Sequence, residues 1–525
     1  MSQTAPPAEA YLAPKDHHLV TIARNVSTRY LAIAVEMLVG FIMLPFNLRH
    51  LGQDAYGLWM LTAGITIHFS VLDMGYGSAV VKFIAQYRAR RDAQALNEIA
   101  STMFFVYAAI GIAAYAVVLA LAFNVQHFFR ITPEQAQVAR WILLIIGLNI
   151  ACNFPFSIFG GVIDGFQRYD RNNLVAIGTA VAVATANAGV LIAGYGLVPL
   201  VAATTSVRLL AYGVYRLNAY RTYPPLRIRL ADFRRSRLRE VTGFSIYSSI
   251  IDWANKLNYE LDEIVIGVFL GSAPVAVWAV ADRIISGIQR LTNQVNGVLF
   301  PFVVDSDETQ KHDRLQRLLL EGTRLSVATV VPIVVALMIL ATPLVRAWVG
   351  EKMLGSVPVI EILGIVVALR VGNATGTTLL KGAGRVRYLA VVNIATGLAN
   401  AVMSALLVKP FGLVGVALGT LIPVGLSTIF VLFPAACRRV DLPLGRAVRF
   451  AVWPGVWPAM VVAVALQMAK PYSPGTLLAV GLEAVAASLL YFALFALAIG
   501  RRDRGEYLAK AQAILGRGTR LVPAS

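Results

Sequence analysis

The sequence predicts an all-α fold: a polytopic helical membrane protein with about fourteen transmembrane helices, two pseudo-symmetric six-helix lobes plus two accessory helices. Three observations predict it. The 525 residues are 58% hydrophobic with a mean hydropathy of +0.68, far outside the soluble globular range. Apolar runs of about 20 residues recur along the whole length, without the aromatic-banded alternating strands of a membrane barrel. The chain also repeats itself. Leu51-Gly52 followed by Trp59 returns as Leu270-Gly271 followed by Trp278, and Gly165, Arg168 and Tyr169 return as Gly384, Arg387 and Tyr388, both at an offset of 219. Gly196-Leu197-Val198 returns as Gly412-Leu413-Val414 at an offset of 216.

Taken in order, residues 1–28 are polar, carry Pro6, Pro7 and Pro14, and lack the basic start and apolar core of a cleaved signal peptide. The first span is expected to act as its own insertion signal. Spans are expected at roughly 29–48, 57–84, 99–123, 138–163, 174–194 and 197–218, which make a first lobe over 29–218. A basic link follows at 219–240, with Arg221, Arg227, Arg229, Arg234, Arg235, Arg237 and Arg239 around Pro224 and Pro225. The second lobe, 241–433, takes spans near 242–269, 275–304, 319–345, 357–380, 388–408 and 412–433. Accessory helices fill 450–469 and 475–499, within a 450–499 unit, and 500–525 forms a tail. An even number of spans per repeat relates the halves by an axis along the membrane normal, with the site expected at the lobe interface near the midplane. Pro45, Pro155, Pro301, Pro332, Pro343, Pro423, Pro454 and Pro458 fall in or beside spans, where kinks expose carbonyls.

The net charge of +18 is topological. Most Lys and Arg fall on loops of one side, the positive-inside pattern, so both termini are expected in the cytoplasm and a nucleic-acid partner is not. The basic link reads first as an anchor on anionic membrane lipid, with substrate capture as the other reading. Cys152 and Cys437 lie in different segments and are expected as free thiols. No metal-ligand spacing, P-loop or catalytic constellation stands out, so neither a cofactor nor enzymatic activity is expected.

The chemistry-bearing residues are charges inside apolar segments, which are costly there and so point to function. Asp252, Lys256, Glu260 and Glu263 share one helix face by their spacing, and Asn255, Asn258 and Asp262 a second. At the matching first-half positions stand Ile33, Met37, Phe41 and Leu44, so repeat symmetry does not require the stripe. It either lines a cavity, or Asp252 and Lys256 neutralise each other while the glutamates sit at a wet helix end. Asp282, Arg283 and Arg290 follow on the next helix, with Arg283 and Arg290 on one face; arginine suits phosphate because its planar fork donates two parallel hydrogen bonds. A bridge from Asp282 and Arg283 to a neighbouring helix is the other reading. The first half offers Glu36, His68, Asp73, Lys82, Arg29 and Arg208. Lys82 and Arg29 are expected to snorkel, and Asp73 is either the cap of a helix break or a coupling carboxylate. Arg324 and Arg370 read as structural.

The run Leu51-Gly52-Gln53-Asp54-Ala55-Tyr56-Gly57-Leu58-Trp59, then Leu72-Asp73-Met74-Gly75-Tyr76-Gly77 and Gln86-Tyr87-Arg88-Ala89-Arg90-Arg91, resembles the N-terminal signature of the polysaccharide transporter family, the Wzx-type flippases. Leu261-Asp262-Glu263-Ile264-Val265-Ile266-Gly267-Val268-Phe269-Leu270-Gly271, followed by Ala281-Asp282-Arg283-Ile284, resembles it again, over about residues 25–435 in all. Trp278 departs from the tyrosine expected there. The family belongs to the multidrug, oligosaccharidyl-lipid and polysaccharide exporter superfamily. The resemblance implies an inner-membrane flippase for an undecaprenyl-diphosphate-linked oligosaccharide repeat, serving O-antigen, capsule or exopolysaccharide assembly. Its lipid-linked substrate would have Lys256, Arg283, Arg290, Asp252 and Asp282 in the cavity, with Glu36, Asp73, Glu260 and Asp262 in coupling or gating. Membrane lipid and a polysaccharide polymerase complex would be its partners. The extra helix pair resembles that of the lipid II flippase relative. The alternatives are a cation-coupled multidrug antiporter, with Asp252, Glu260 or Asp262 binding the cation, and a membrane glycosyltransferase, which short outer loops disfavour.

Overall fold

The computed structural model describes residues 18–243, 261–308, 312–472 and 474–499. Among these residues the regular structure is helical throughout, and ten helical stretches are long and apolar enough to cross a bilayer. The protein is an all-α, multi-pass membrane protein. Some of the ten hold two expected spans joined across a glycine break, and so the helices fall in fewer, longer pieces than the hydropathy suggests.

The chain divides into two compact units, Met1–Arg283 with Asn393–Val416, and Ile284–Val392 with Ala417–Ser525. In the first unit α1 (His18–Ile67) carries Pro45 and breaks at Gly52, whose φ of 80° and ψ of 170° lie outside the helical region. Only glycine adopts that conformation readily. Gly271, its partner in the repeat, also has a positive φ, 93°, so the same turn recurs between α7 (Asp262–Phe269) and α8 (Ser272–Glu308).

The expected span 57–84 is not one helix. It runs from α1 into a 3₁₀ turn over His68–Asp73, turns at Met74 and Gly75 with positive φ, and resumes as α2 (Tyr76–Ala89). Next comes α3 (Ala93–Phe128), where the Asp92 carboxylate accepts a hydrogen bond from the Ala95 N–H at 2.9 Å. Then α4 (Pro133–Gly165) starts with a capping box, Thr132 and Gln135 each satisfying the other's backbone N–H, and with Pro133 in its first turn. The unit's first six helices are completed by α5 (Tyr169–Ile192) and α6 (Leu197–Thr222).

The core of this unit joins α2, α3 and α4 through Ile84, Leu96, Met103, Tyr107, Ile158 and Val162, all almost fully buried. Helices α3 and α4 meet closely at Gly111, where an added Cβ would lie 2.4 Å from the Ala151 carbonyl oxygen. Backbone cannot give way as a side chain can. Gly111→Val is therefore expected to lower stability by about 1–3 kcal/mol, the usual cost of overpacking. The measurement is the unfolding temperature of the purified protein in detergent, and an unchanged value would contradict the close approach.

The hairpin α7–α8 begins the second half of the sequence but packs on the first unit. The Ser272 carbonyl lies where a Cβ on Gly57 would be, Gln53 donates to the Ala273 carbonyl at 3.2 Å, and Gln135 donates to the Ser272 hydroxyl at 3.3 Å.

In the second unit α9 (His312–Val349) is the central helix, with α10 (Val357–Gly372), α11 (Ala374–Gly382), α15 (Trp453–Ala469) and α16 (Leu477–Ala498) packed on it. The expected span 357–380 divides at Asn373 into α10 and α11. Gly412 breaks α12 (Val386–Leu426), and α13 (Phe433–Arg439) and α14 (Leu444–Ala447) lead to the last pair. Tyr491, fully buried, donates to the Gly455 carbonyl at 2.8 Å and ties α16 to α15.

Candidate functional site

Of the charged stripe, Asp252, Lys256 and Glu260, with Asn255 and Asn258, lie outside the described residues, as does the His68 side chain. The rest of the stripe begins α7. Asp262 is buried at 7% exposure, and both Asp262 and Glu263 occupy the first turn of the helix, where the helix dipole favours a negative charge. The Glu263 carboxylate rests on α1 at Gly64, with Oε2 2.4 Å from where a Cβ would stand.

On α8 the Arg283 guanidinium occupies the space left by the missing side chain of Gly40. Buried Tyr56 lies within electrostatic reach of Arg283, Glu263 and Asp282. Two of the predicted site residues, Arg283 and Asp282, are thus brought together with Glu263 against α1. Arg290 is exposed and belongs to the second unit.

The first unit holds two half-open chambers that the charged stripe does not announce. One, of about 470 Å³, is lined by Asp73, Tyr107, Asn153, Asp164, Asn172 and Tyr212, among others. The other, of about 690 Å³, is lined by Trp59, Asp73, Asn149, Asn153, Thr204 and Arg208, among others. Asp73, Asn153 and Ser157 belong to both.

Asp73 ends the 3₁₀ turn, and its carboxylate accepts from the Gly77 N–H at 3.4 Å and from the Tyr107 hydroxyl. It therefore caps the break in the second span and faces both chambers at once. Asn172 donates to Asp164 at 2.7 Å, with Arg29 within electrostatic reach of that carboxylate. Tyr212 donates to Asn149 at 3.0 Å. Glu36, half-buried on α1, lies within electrostatic reach of Tyr215, which lines the first chamber. Asn149, Asn153, Asp164, Asn172 and Tyr212 were not read as candidates from the sequence. The signal was there: Asn149, Asn153 and Ser157 recur every four residues, a polar face on an apolar helix.

The basic link is folded onto the end of α3. A polar face of that helix, Asn97, Glu98, Ser101 and Thr102, binds its backbone: Asn97 accepts from the Arg227 N–H at 2.8 Å, Ser101 donates to the Arg227 carbonyl at 3.0 Å, and Thr102 accepts from the Arg234 N–H at 2.9 Å. Glu98 accepts from Gln94 at 3.1 Å and from Arg237 through two nitrogens at 3.1 Å, and pairs with Arg234 at 3.6 Å. Arg237 also donates to the Tyr87 hydroxyl at 2.8 Å, which lies 2.8 Å from Glu240. Burial and that contact with Glu240 push the Tyr87 phenol up to about 12, so it remains a donor at physiological pH. Of the remaining candidates, Lys82 and Arg29 are exposed, and Cys152 and Cys437 are free thiols.

Half-open chambers of mixed polar and apolar lining, set among helices of bilayer length, fit a multi-pass membrane protein of transporter type. Residues 48–358, more than half of the chain, match the family model described as polysaccharide biosynthesis protein. The chain belongs to this family, and is a polysaccharide transporter of the multidrug, oligosaccharidyl-lipid and polysaccharide exporter superfamily.

It is 21% identical over 420 residues to the probable flippase AglR of Haloferax volcanii, covering 78% of this chain and 83% of that protein. It is 25% identical over 145 residues to the teichuronic acid biosynthesis protein TuaB of Bacillus subtilis, covering 27% and 30% respectively. Among solved structures, the fold resembles the lipid II flippase MurJ in an inward closed conformation, with a TM-score of 0.70 at 12% identity over 90% of this chain and 98% of that one. An inward-facing multidrug resistance MATE family transporter gives 0.59 at 16% identity over 77% and 98%.

Proposed function

We propose that the protein is a flippase that moves an undecaprenyl-diphosphate-linked oligosaccharide repeat from the cytoplasmic to the periplasmic leaflet of a bacterial inner membrane, by alternating access, for O-antigen, capsule or exopolysaccharide assembly. Both termini lie in the cytoplasm, as the positive-inside pattern favours. Family membership supports the substrate class. The observation that carries the reading is Arg283, a permanent cation on an apolar helix, seated in the space that Gly40 leaves open.

In this reading Arg283, with Lys256 and Arg290, holds the diphosphate, because guanidinium pairs with phosphate oxygens through parallel charge-assisted hydrogen bonds. Asp252 and Asp282 complete the substrate set. Glu36, Asp73, Glu260 and Asp262 serve coupling or gating, and the chamber walls of amide, carboxylate and aromatic groups suit a hydroxylated sugar. The glycan product passes to a polymerase complex.

The test is surface polysaccharide in a strain whose own copy is deleted. Arg283→Ala is expected to lower it about tenfold or more, since a hydrogen bond to a charged group contributes roughly 1.5–3 kcal/mol. Gly40→Ala, which displaces the guanidinium without removing its charge, is expected to lower it in the same direction. Normal polymer from well-folded Arg283→Ala would sink the assignment.

A second reading, a cation-coupled multidrug antiporter of the same superfamily, draws on Asp73 and Asp164 in the first chamber. Drug susceptibility separates the two: the flippase leaves it unchanged when the gene is deleted.

A further inference from the structure

Four arginines gather at one end of the first unit, and none of them lines either chamber. Arg24 precedes the apolar part of α1, Arg168 immediately precedes α5, Arg171 lies in its first turn, and Arg221 lies in the last turn of α6. The membrane-spanning stretches run Ser27–Ile65, Tyr169–Ile192 and Leu197–Thr222. All four side chains therefore sit where hydrocarbon gives way to lipid headgroups, the level of the phosphates.

The cluster is built, not a loose surface. Asp170, buried at 6% exposure, pairs with Arg24 at 3.1 Å and with Arg168 at 3.1 Å. Arg171 donates to the Thr222 hydroxyl at 2.7 Å. The turn beneath them is pinned to α1: Asn25 donates to the Gln167 carbonyl at 2.9 Å and accepts from the Asp170 N–H at 3.1 Å, while Asn173 donates to Thr28 at 3.1 Å.

Arg168, Arg221 and Arg24 lie within electrostatic reach of Arg171, and Asp170 is the opposing charge in that set. Among the described residues, four permanent cations face one carboxylate. Each guanidinium brings five donors in a planar fork, far more than Asp170 and Thr222 accept. An excess of positive charge and of oriented donors at headgroup depth matches a phosphate ester, which supplies negative charge and acceptor oxygens.

We propose that Arg24, Arg168, Arg171 and Arg221 form a binding site for the phosphate of an anionic membrane lipid, held at the edge of the bilayer outside the two chambers. The site stands on this arrangement alone and does not depend on which substrate the protein transports. Two lipids carry the required chemistry, an acidic phospholipid and a polyprenyl diphosphate.

The full-length protein in detergent, examined by native mass spectrometry, distinguishes them. Phosphatidylglycerol, undecaprenyl diphosphate and, as a zwitterionic control, phosphatidylcholine are added separately. The variant Arg171→Gln/Arg221→Gln leaves both Asp170 ion pairs in place. It is expected to raise the dissociation constant of the anionic lipid about tenfold and to leave phosphatidylcholine adducts unchanged. Loss for undecaprenyl diphosphate alone assigns the site to the polyprenyl lipid, and loss for both assigns it to acidic lipid in general. Wild-type adducts of both anionic lipids on the variant would overturn the proposal. Arg221→Gln alone, at an exposed position, is read in the same assay should the double variant not fold, and it too must weaken binding by about threefold.

Discussion

Glu98→Ala is expected to free residues 223–243 from α3 and to destabilise the first unit by about 2–4 kcal/mol. The carboxylate is nearly buried, with 11% of its side chain exposed, while its partners Arg237 and Arg234 are 25% and 52% exposed. Removing it strands a guanidinium that water only partly reaches, which places the cost below that of a fully buried pair. Hydrogen exchange over 223–243 should quicken by about 30-fold or more, as a local opening cheaper by 2 kcal/mol requires. Glu98→Gln keeps the shape and loses the charge, and should fall between the two. Unchanged exchange in Glu98→Ala would mean that the backbone contacts of Asn97, Ser101 and Thr102 hold the link unaided.

Asp73→Asn is expected to separate the two roles that meet at the helix break. The amide oxygen still accepts from the Gly77 N–H, and the amide nitrogen can donate to the Tyr107 hydroxyl in place of accepting from it, so the cap survives and the unfolding temperature stays close to that of the wild type. If the carboxylate couples transport to an ion, gradient-driven flipping in proteoliposomes falls about 10- to 100-fold, the range of a typical coupling free energy. Flipping down a substrate gradient persists. Tyr107→Phe removes one hydrogen bond to the same carboxylate and is expected to cost about 1 kcal/mol of stability. Full gradient-driven activity in Asp73→Asn would reduce this residue to its cap.

Much of the protein is legible from residues alone because the bilayer imposes a simple code. Hydropathy locates spans, and the fixed offset of 219 between Leu51-Gly52 and Leu270-Gly271 reappears as two glycines with positive φ. Breaks inside spans are harder to read. Asp73-Met74-Gly75 and Asn373 interrupt helices without lowering hydropathy enough to mark a loop, since short hydroxyl residues close by bond the freed carbonyls, Ser78 that of Gly75 and Thr377 that of Asn373. The chambers were missed for a related reason: Asn149, Asn153 and Asn172 bear no charge, and a neutral amide in an apolar run draws less notice than Arg283.

The sequence by itself determined the class: an all-α membrane transporter with an internal repeat and charges inside apolar segments whose cost points to function. Only the tertiary structure decided which of those charges meet. Arg283 reaches Gly40 and Glu263 reaches Gly64 across more than 190 residues of sequence. Arg24 joins Arg168, Arg171 and Arg221 from three separate helix ends. Spacing along one helix determines a face, but partners across helices follow from packing, which places small residues where large side chains must lie. Hydrocarbon burial depends on composition summed over a window, whereas an ion pair depends on a few tenths of a nanometre between two named atoms.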